Sequence, residues 1–336
     1  MQSTVPSDFR RVLFSSLPSS LLPHNLQAPE FRILFPTVLT TELWATPTEA
    51  DIREVVDRTP SEVLFPQPGE TKVRVLEFRP EKTSDSKVAK EAVDQMLSSG
   101  GGALTRGDLH RTMSTDYFVV LSGHVTLSAE DRDVELSAGD TVVCLGALHG
   151  WSCRTASSAR IFSVLVGAEN HGDTTSGTFV SESLVETTKP HSIRRVVLGH
   201  DPSGLARILE DARAALPARL WSTEGSVPDN TVRGDRLQLV SQAAPDSFAT
   251  SFEVNDLEPG EHLTLQAEAA QVVGVVLEGA LTGLGTGESG ARHSLATGDT
   301  FVSVGENLQW SNESHATARI GWVVLRGTDA DVPSSH

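Results

Sequence analysis

His110, Thr112 and Asp116 fall at even spacing in the stretch HRTMSTDYFVVLSG, which runs from His110 to Gly123. A second stretch, GDTVVCLGALHGW, runs from Gly139 to Trp151 and carries His149. Neutral imidazole and carboxylate suit Fe(II), Mn(II), Zn(II), Ni(II) or Cu(II). Two histidines and one carboxylate leave open positions on the ion, the set in which non-haem Fe(II) accepts substrate and O₂. His110, Asp116 and His149 are therefore the candidate metal ligands and catalytic residues, with Fe(II) the favoured metal. Thr112 is a poor ligand at neutral pH, and its hydroxyl is expected to hydrogen-bond Asp116 or a metal-bound water. Without a metal, His110 or His149 can serve as a general base, so metal-free acid–base chemistry is the competing reading.

Strands must hold these side chains. Alternate residues of a strand share a face, so His110, Thr112 and Asp116 point one way if the chain stays extended between them. A turn near Ser114 would upset this. Phe118 and Val120 continue the same lining. His149, Trp151 and Cys153 also alternate and are expected to reach the cavity from another strand. Tyr117, the only tyrosine, then faces away and packs.

The two stretches resemble the paired motifs of the cupin superfamily. His110, Arg111, Thr112, Asp116 and Gly123 fit the frame of the first motif, and Gly139-Asp140, Gly146, His149 and Cys153 that of the second. Thr112 stands where a ligand histidine is usual, Asp116 where glutamate is usual, and Cys153 where asparagine is usual. The resemblance implies an all-β chain: two tandem cupin (double-stranded β-helix, jelly-roll) barrels with a few short helices. Similar short cupins with His-x-Thr and Asp occur in specialised metabolism and are called oxidoreductases. The implied function is thus a metal-dependent, dioxygenase-like oxidoreductase acting on a small aromatic or polyketide-like metabolite. The alternatives are a metal-independent isomerase, dehydratase or cyclase, and a non-enzymatic binding bicupin.

The chain contains its own copy. Gly139, Gly146 and Trp151 recur at Gly298, Gly305 and Trp310, all at an offset of 159. Val120 to Gly123 recurs at Val276 to Gly279, and the ArgArgVal triplet at 10–12 recurs at 194–196. This divides the chain into a first barrel (1–172), a polar linker (173–192) and a second barrel (193–336). By the offsets, Gln266, Val272 and Leu308 occupy the places of His110, Asp116 and His149, so the second barrel is expected to lack the site. His262, His293 and His315 match no ligand position and read as exposed loop residues. Repeat one carries about twenty extra residues, assigned to 83–102, where an apolar stripe at helical spacing points to a helix, either a lid or packed on the barrel wall. A second short helical pattern lies within 201–217. Arg10-Arg11 and Arg194-Arg195 are expected to make inter-repeat salt bridges.

At 336 residues, with 38% hydrophobic residues and a mean hydropathy of −0.14, the chain reads as a soluble two-domain protein. A formal charge of −17 argues against nucleic acid or anionic membrane as partners. Cys144 and Cys153 are the only cysteines, and nothing in their placing calls for an oxidising compartment. No apolar run approaches the ~18 residues of a membrane span. The expected setting is cytoplasmic, the expected partner a small-molecule substrate, and the expected state a monomer or homodimer.

Overall fold

The computed structural model describes residues 10–15, 30–35, 38–46, 65–80, 105–106, 109–169, 191–201, 203–224, 238–239, 248–267, 270–286, 290 and 292–326. Among these residues the chain is all-β, with no helix. The strands are β1 (Arg11–Ser15), β2 (Glu30–Phe35), β3 (Val38–Thr46), β4 (Thr71–Phe78), β5 (Thr105–Arg106), β6 (Leu109–His110), β7 (Ser114–Ser122) and β8 (His124–Ser128). They continue as β9 (Asp133–Ser137), β10 (Thr141–Leu145), β11 (Gly150–Ser152), β12 (Ala159–Gly167), β13 (Ser192–His200), β14 (Ala206–Ala215), β15 (Ala218–Glu224) and β16 (Gln238–Leu239). The last are β17 (Phe248–Leu257), β18 (His262–Leu265), β19 (Ala270–Glu278), β20 (Ala280–Gly285), β21 (Arg292–Ala296), β22 (Thr300–Val304), β23 (Leu308–Ser311) and β24 (Ala318–Arg326).

Each barrel pairs a large sheet with a small one. The first has the order β14-β13-β10-β7-β12-β4-β3-β2 facing β11-β8-β9. The second has β1-β22-β19-β24-β17-β15-β16 facing β18-β23-β20-β21. The period-two pattern of Val, Leu and Phe explains why: each large sheet has two apolar faces and must cover both. On β7, Phe118 and Val120 turn into the first barrel, while Tyr117 and Val119 turn out. On β19, Val272 and Val276 turn into the second barrel, while Val273 and Val275 turn out. The outward rows of both large sheets meet in a shared core that includes Trp44, Tyr117, Phe162, Val254, Val273 and Val323. Tyr117 packs there as expected, and its hydroxyl lies 2.5 Å from Thr250 Oγ1 on the other sheet.

The linear boundary at 172/193 does not partition the sheets. Strand β1 leaves its own repeat and pairs in parallel with β22, Arg11 opposite Thr300. Strand β13 does the reciprocal thing, pairing in parallel with β10 so that Arg195 lies opposite Thr141. Paired arginines lock both exchanges. Arg10 Nη1 lies 3.4 Å from Asp299, and Arg194 Nη1 lies 3.0 Å from Asp140, so each exchanged strand grips the Gly-Asp turn of the other repeat. The next arginine of each pair crosses between the large sheets: Arg11 donates to Leu43 O, and Arg195 Nη1 donates to Leu220 O at 2.7 Å. Arg10 and Arg194 thus make the expected inter-repeat salt bridges, while Arg11 and Arg195 reach across by hydrogen bonds to carbonyls.

The helical pattern within 201–217 is corrected. Residues 206–215 form β14, antiparallel to β13. Ala, Leu, Arg and Glu favour a helix locally, but Ala206, Ile208 and Glu210 are buried while Arg207 and Asp211 are exposed, a strand alternation set by pairing with β13. The segment 83–102, and the linker apart from its last residues, lie outside the described residues.

Candidate metal centre

The site sits in the first barrel, where β7, β10 and the turn before β11 converge. Asp116 on β7 lies opposite Cys144 on β10. Both point inward with Phe118 and Val142. His149 reaches the same place from the turn before β11, its backbone paired with that of His110 in both directions (N–O distances 2.9 and 2.8 Å). One donor atom each from Asp116, Cys144 and His149 lies within 4.8 Å of the others, and all three residues are buried.

The group includes Cys144, a strand residue outside the set expected from sequence. The chain is not extended between His110 and Asp116, because β6 ends at His110 and β7 begins at Ser114, so the alternation is broken where a turn near Ser114 was anticipated. His110 remains beside the group. Its ring centroid lies 4.6 Å from that of His149. By surface exposure it is only partly buried, whereas Asp116 and His149 are buried.

The hydrogen bonds define what each group can do. Ser114 Oγ donates to Thr112 Oγ1 at 2.7 Å, and Thr112 Oγ1 donates to Asp116 Oδ2 at 3.1 Å. Thr112 thus supports the carboxylate, one of the two roles expected for it. Asp116 Oδ1 is buried and has no hydrogen-bond partner among the described residues. Burial pushes the Asp116 carboxyl up to about 7, against the opposing pull of Ser114, Thr112 and the Arg74 charge. Arg74 is itself held by Glu42 at 2.7 Å in a buried ion pair.

His149 Nδ1 lies 2.8 Å from Ala147 O. A carbonyl can only accept, so Nδ1 carries the proton and Nε2 keeps its lone pair. Burial also lowers the His149 pKa, and burial followed by repulsion from His149 pushes His110 down to about 3. Both imidazoles are neutral at pH 7, the form in which they ligate metal. The Cys144 thiol is pushed well up, chiefly by burial and then by the Asp116 charge. Phe118 and Trp151 wall the site, their centroids 6.4 and 6.3 Å from the His149 ring and 5.1 Å from one another. Val120 lies deeper in the barrel core.

Cys153 does not line this centre. Its sulfur sits 3.2 Å from Ser157 O and 3.8 Å from His124 O, within the turn that follows β11. At the same offset, Asn312 Nδ2 donates to Ala316 O at 2.8 Å and to Leu257 O at 2.7 Å. Both residues tie the corresponding turn, so Cys153 is structural.

The second barrel has filled the equivalent space. Trp310 is fully buried between Phe301, 4.7 Å away, and Phe14 of the exchanged strand, 6.0 Å away. Leu308 and Val272 are buried where the first barrel has His149 and Asp116. His315 is an exposed loop residue as expected, whereas His262 is exposed but opens strand β18. His293 is not a loop residue: it lies on β21, half-buried, with its ring 5.3 Å from Phe14.

Two jelly-roll barrels in one chain, joined back to back through their large sheets and exchanging strands, make up the architecture, and only the first carries the buried donor group. No family model matches the chain, and no curated protein matches it. Similar solved structures include AerE from Microcystis aeruginosa, at 12% identity and a TM-score of 0.42, covering 89% of this chain and 97% of that one. A cupin 2 conserved barrel domain protein from Leptotrichia buccalis is 10% identical, with a TM-score of 0.40 over 87% and 90% of the two chains. The bacterial pirin YhhW in complex with nickel(II), from Escherichia coli, is 11% identical, with a TM-score of 0.46 over 89% and 96%.

Proposed function

We propose that the first barrel is a metal-dependent oxidoreductase site for a small organic molecule, aromatic or polyketide-like, with Fe(II) as the favoured metal. The observation that carries this reading is the buried donor group around an Asp116 oxygen that lacks a partner. An unsatisfied carboxylate oxygen in a dry interior is costly, and a cation against it would remove that cost. The donor set fits a divalent transition ion. A bound metal would supply Lewis-acid or redox chemistry at a position left open to substrate.

The residues of the chain do the rest. Thr112 and Ser114 fix one Asp116 oxygen and leave the other aimed inward. Ala147 O fixes the His149 tautomer, as carbonyls commonly do for metal-binding histidines. Phe118 and Trp151 supply apolar walls that favour a flat organic ligand over water. His110, neutral, stands beside the group with its ring 4.6 Å from that of His149.

One observation favours a second reading. A carboxyl at about 7 can exchange a proton near neutral pH. Asp116, rather than a histidine, would then be the acid–base group of a metal-free isomerase or lyase.

Elemental analysis separates the two. After anaerobic reconstitution with Fe(II), the wild-type chain is expected to retain about one metal per chain, and His149→Ala well under half of that. A folded wild-type chain that retains none, yet turns over substrate, would replace the first reading with the second.

A further inference from the structure

Building on that metal reading, we propose that Cys144 is itself a metal ligand, so that the centre is held by a carboxylate, an imidazole and a thiolate, with His110 beside it rather than among its ligands. The geometry is the first argument. The Cys144 sulfur is fully buried, 3.5 Å from His149 Nδ1, and belongs with Asp116 and His149 to the single compact donor group among the described residues. With Nδ1 donating to Ala147 O, the nitrogen left to ligate is Nε2 of the same ring. The unpartnered Asp116 Oδ1, on a residue only 1% exposed, supplies the third side of the group.

The internal repeat is the second argument. Ser303 occupies the place of Cys144 in the second barrel, where its hydroxyl donates to Glu306 O at 2.9 Å. Cys144 faces the equivalent carbonyl, Ala147 O, at 3.8 Å, which for a weak thiol donor is a poor substitute. Thus the hydroxyl serves the turn better, yet sulfur stands in the barrel that also has Asp116 and His149. In the other barrel all three positions are non-ligating: Ser303, Val272 and Leu308. The three donors are present together or absent together.

Binding converts the thiol to a thiolate: the S–H bond breaks, a metal–sulfur bond forms, and the proton passes to solvent, with no change of oxidation state. Sulfur ligation shifts the preference away from Mn(II) and Mg(II), toward ions that accept softer donors.

The test uses Co(II) added to the chelator-stripped full chain, read by absorption. Wild type is expected to show both the visible bands of bound cobalt and the intense near-ultraviolet thiolate-to-cobalt band. Cys144→Ser is expected to lose the thiolate band while keeping visible bands, and Cys153→Ser to keep both. Cys144→Ala replaces the serine variant if that one does not fold. Visible bands without the thiolate band in wild type, or a thiolate band that survives in the Cys144 variant, would overturn the thiolate ligand and leave the metal reading standing. Absence of any cobalt band in wild type would overturn both.

Discussion

Replacing Asp116 by asparagine is expected to abolish stoichiometric metal binding while making the metal-free protein more stable above neutral pH. The two effects have one cause. The carboxylate is buried, and desolvation raises its pKa from 3.8 to about 7. Stability attached to a group whose folded pKa is raised is fully present below the unfolded value and is lost as pH rises through the folded one. For Asp116 that window runs from pH 3.8 to about 7. At pH 8 the ionised side chain then costs the metal-free fold up to about 4 kcal/mol. Asparagine removes this cost, so metal-free Asp116→Asn should unfold at higher denaturant than wild type at pH 8 and at a similar concentration at pH 4. Its metal affinity should fall by more than the roughly 10- to 100-fold typical of losing a hydrogen-bond partner of a ligand. Equilibrium unfolding at the two pH values, with a metal titration, checks both halves. Equal stability at pH 8 together with undiminished metal affinity would remove Asp116 from the centre.

The second large effect lies away from the site. Arg195 is fully buried, donates to Glu210 Oε1 through Nε and Nη2 at 2.8 and 2.6 Å, and reaches Leu220 O on the opposing large sheet. Removing one partner of a buried pair strands the other, at a cost of about 3–5 kcal/mol. Arg195→Ala should therefore destabilise the chain by about that amount, because the Glu210 carboxylate loses its counter-charge and Leu220 O loses its donor. The double variant Arg195→Met/Glu210→Leu should recover much of the loss, since hydrophobic replacement of both partners is often neutral. Denaturant unfolding of the singles and the double measures the coupling. A single-variant loss under about 1 kcal/mol, or a double variant as weak as the single, would contradict the role given to this arginine.

Much of the fold was legible because strand alternation is local. The Val-, Leu-, Ile- and Phe-rich runs at 73–78, 141–145, 159–167, 300–305 and 319–325 fall within or close to β4, β10, β12, β22 and β24. The recurring glycines mark backbone conformations that other residues resist: Gly123 and its counterpart Gly279 adopt φ of +76° and +75°. A Cβ at Gly123 would stand 2.6 Å from Ser158 O.

What was not legible is non-local. Nothing within 206–215 announces the neighbouring strand that turns a helix-favouring composition into β14. The reciprocal exchange rests on non-local pairing, Arg11 with Thr300 across most of the chain and Arg195 with Thr141 across the intervening strands. Cys144 is the clearest case. It sits in the apolar run TVVCL, yet its position opposite Asp116 depends on the pairing of β7 with β10, two strands that are not adjacent in sequence. His110 shows the converse, because a short break after β6 dissolves an alternation that looked continuous.

Anomalous diffraction from crystals of the metal-reconstituted chain tests the central claim most directly. One strong peak is expected inside the first barrel, bounded by the Asp116 carboxylate and the His149 ring, with none in the Trp310-filled second barrel. A reconstituted crystal with no peak beside Asp116, or with its only peak elsewhere, would contradict it.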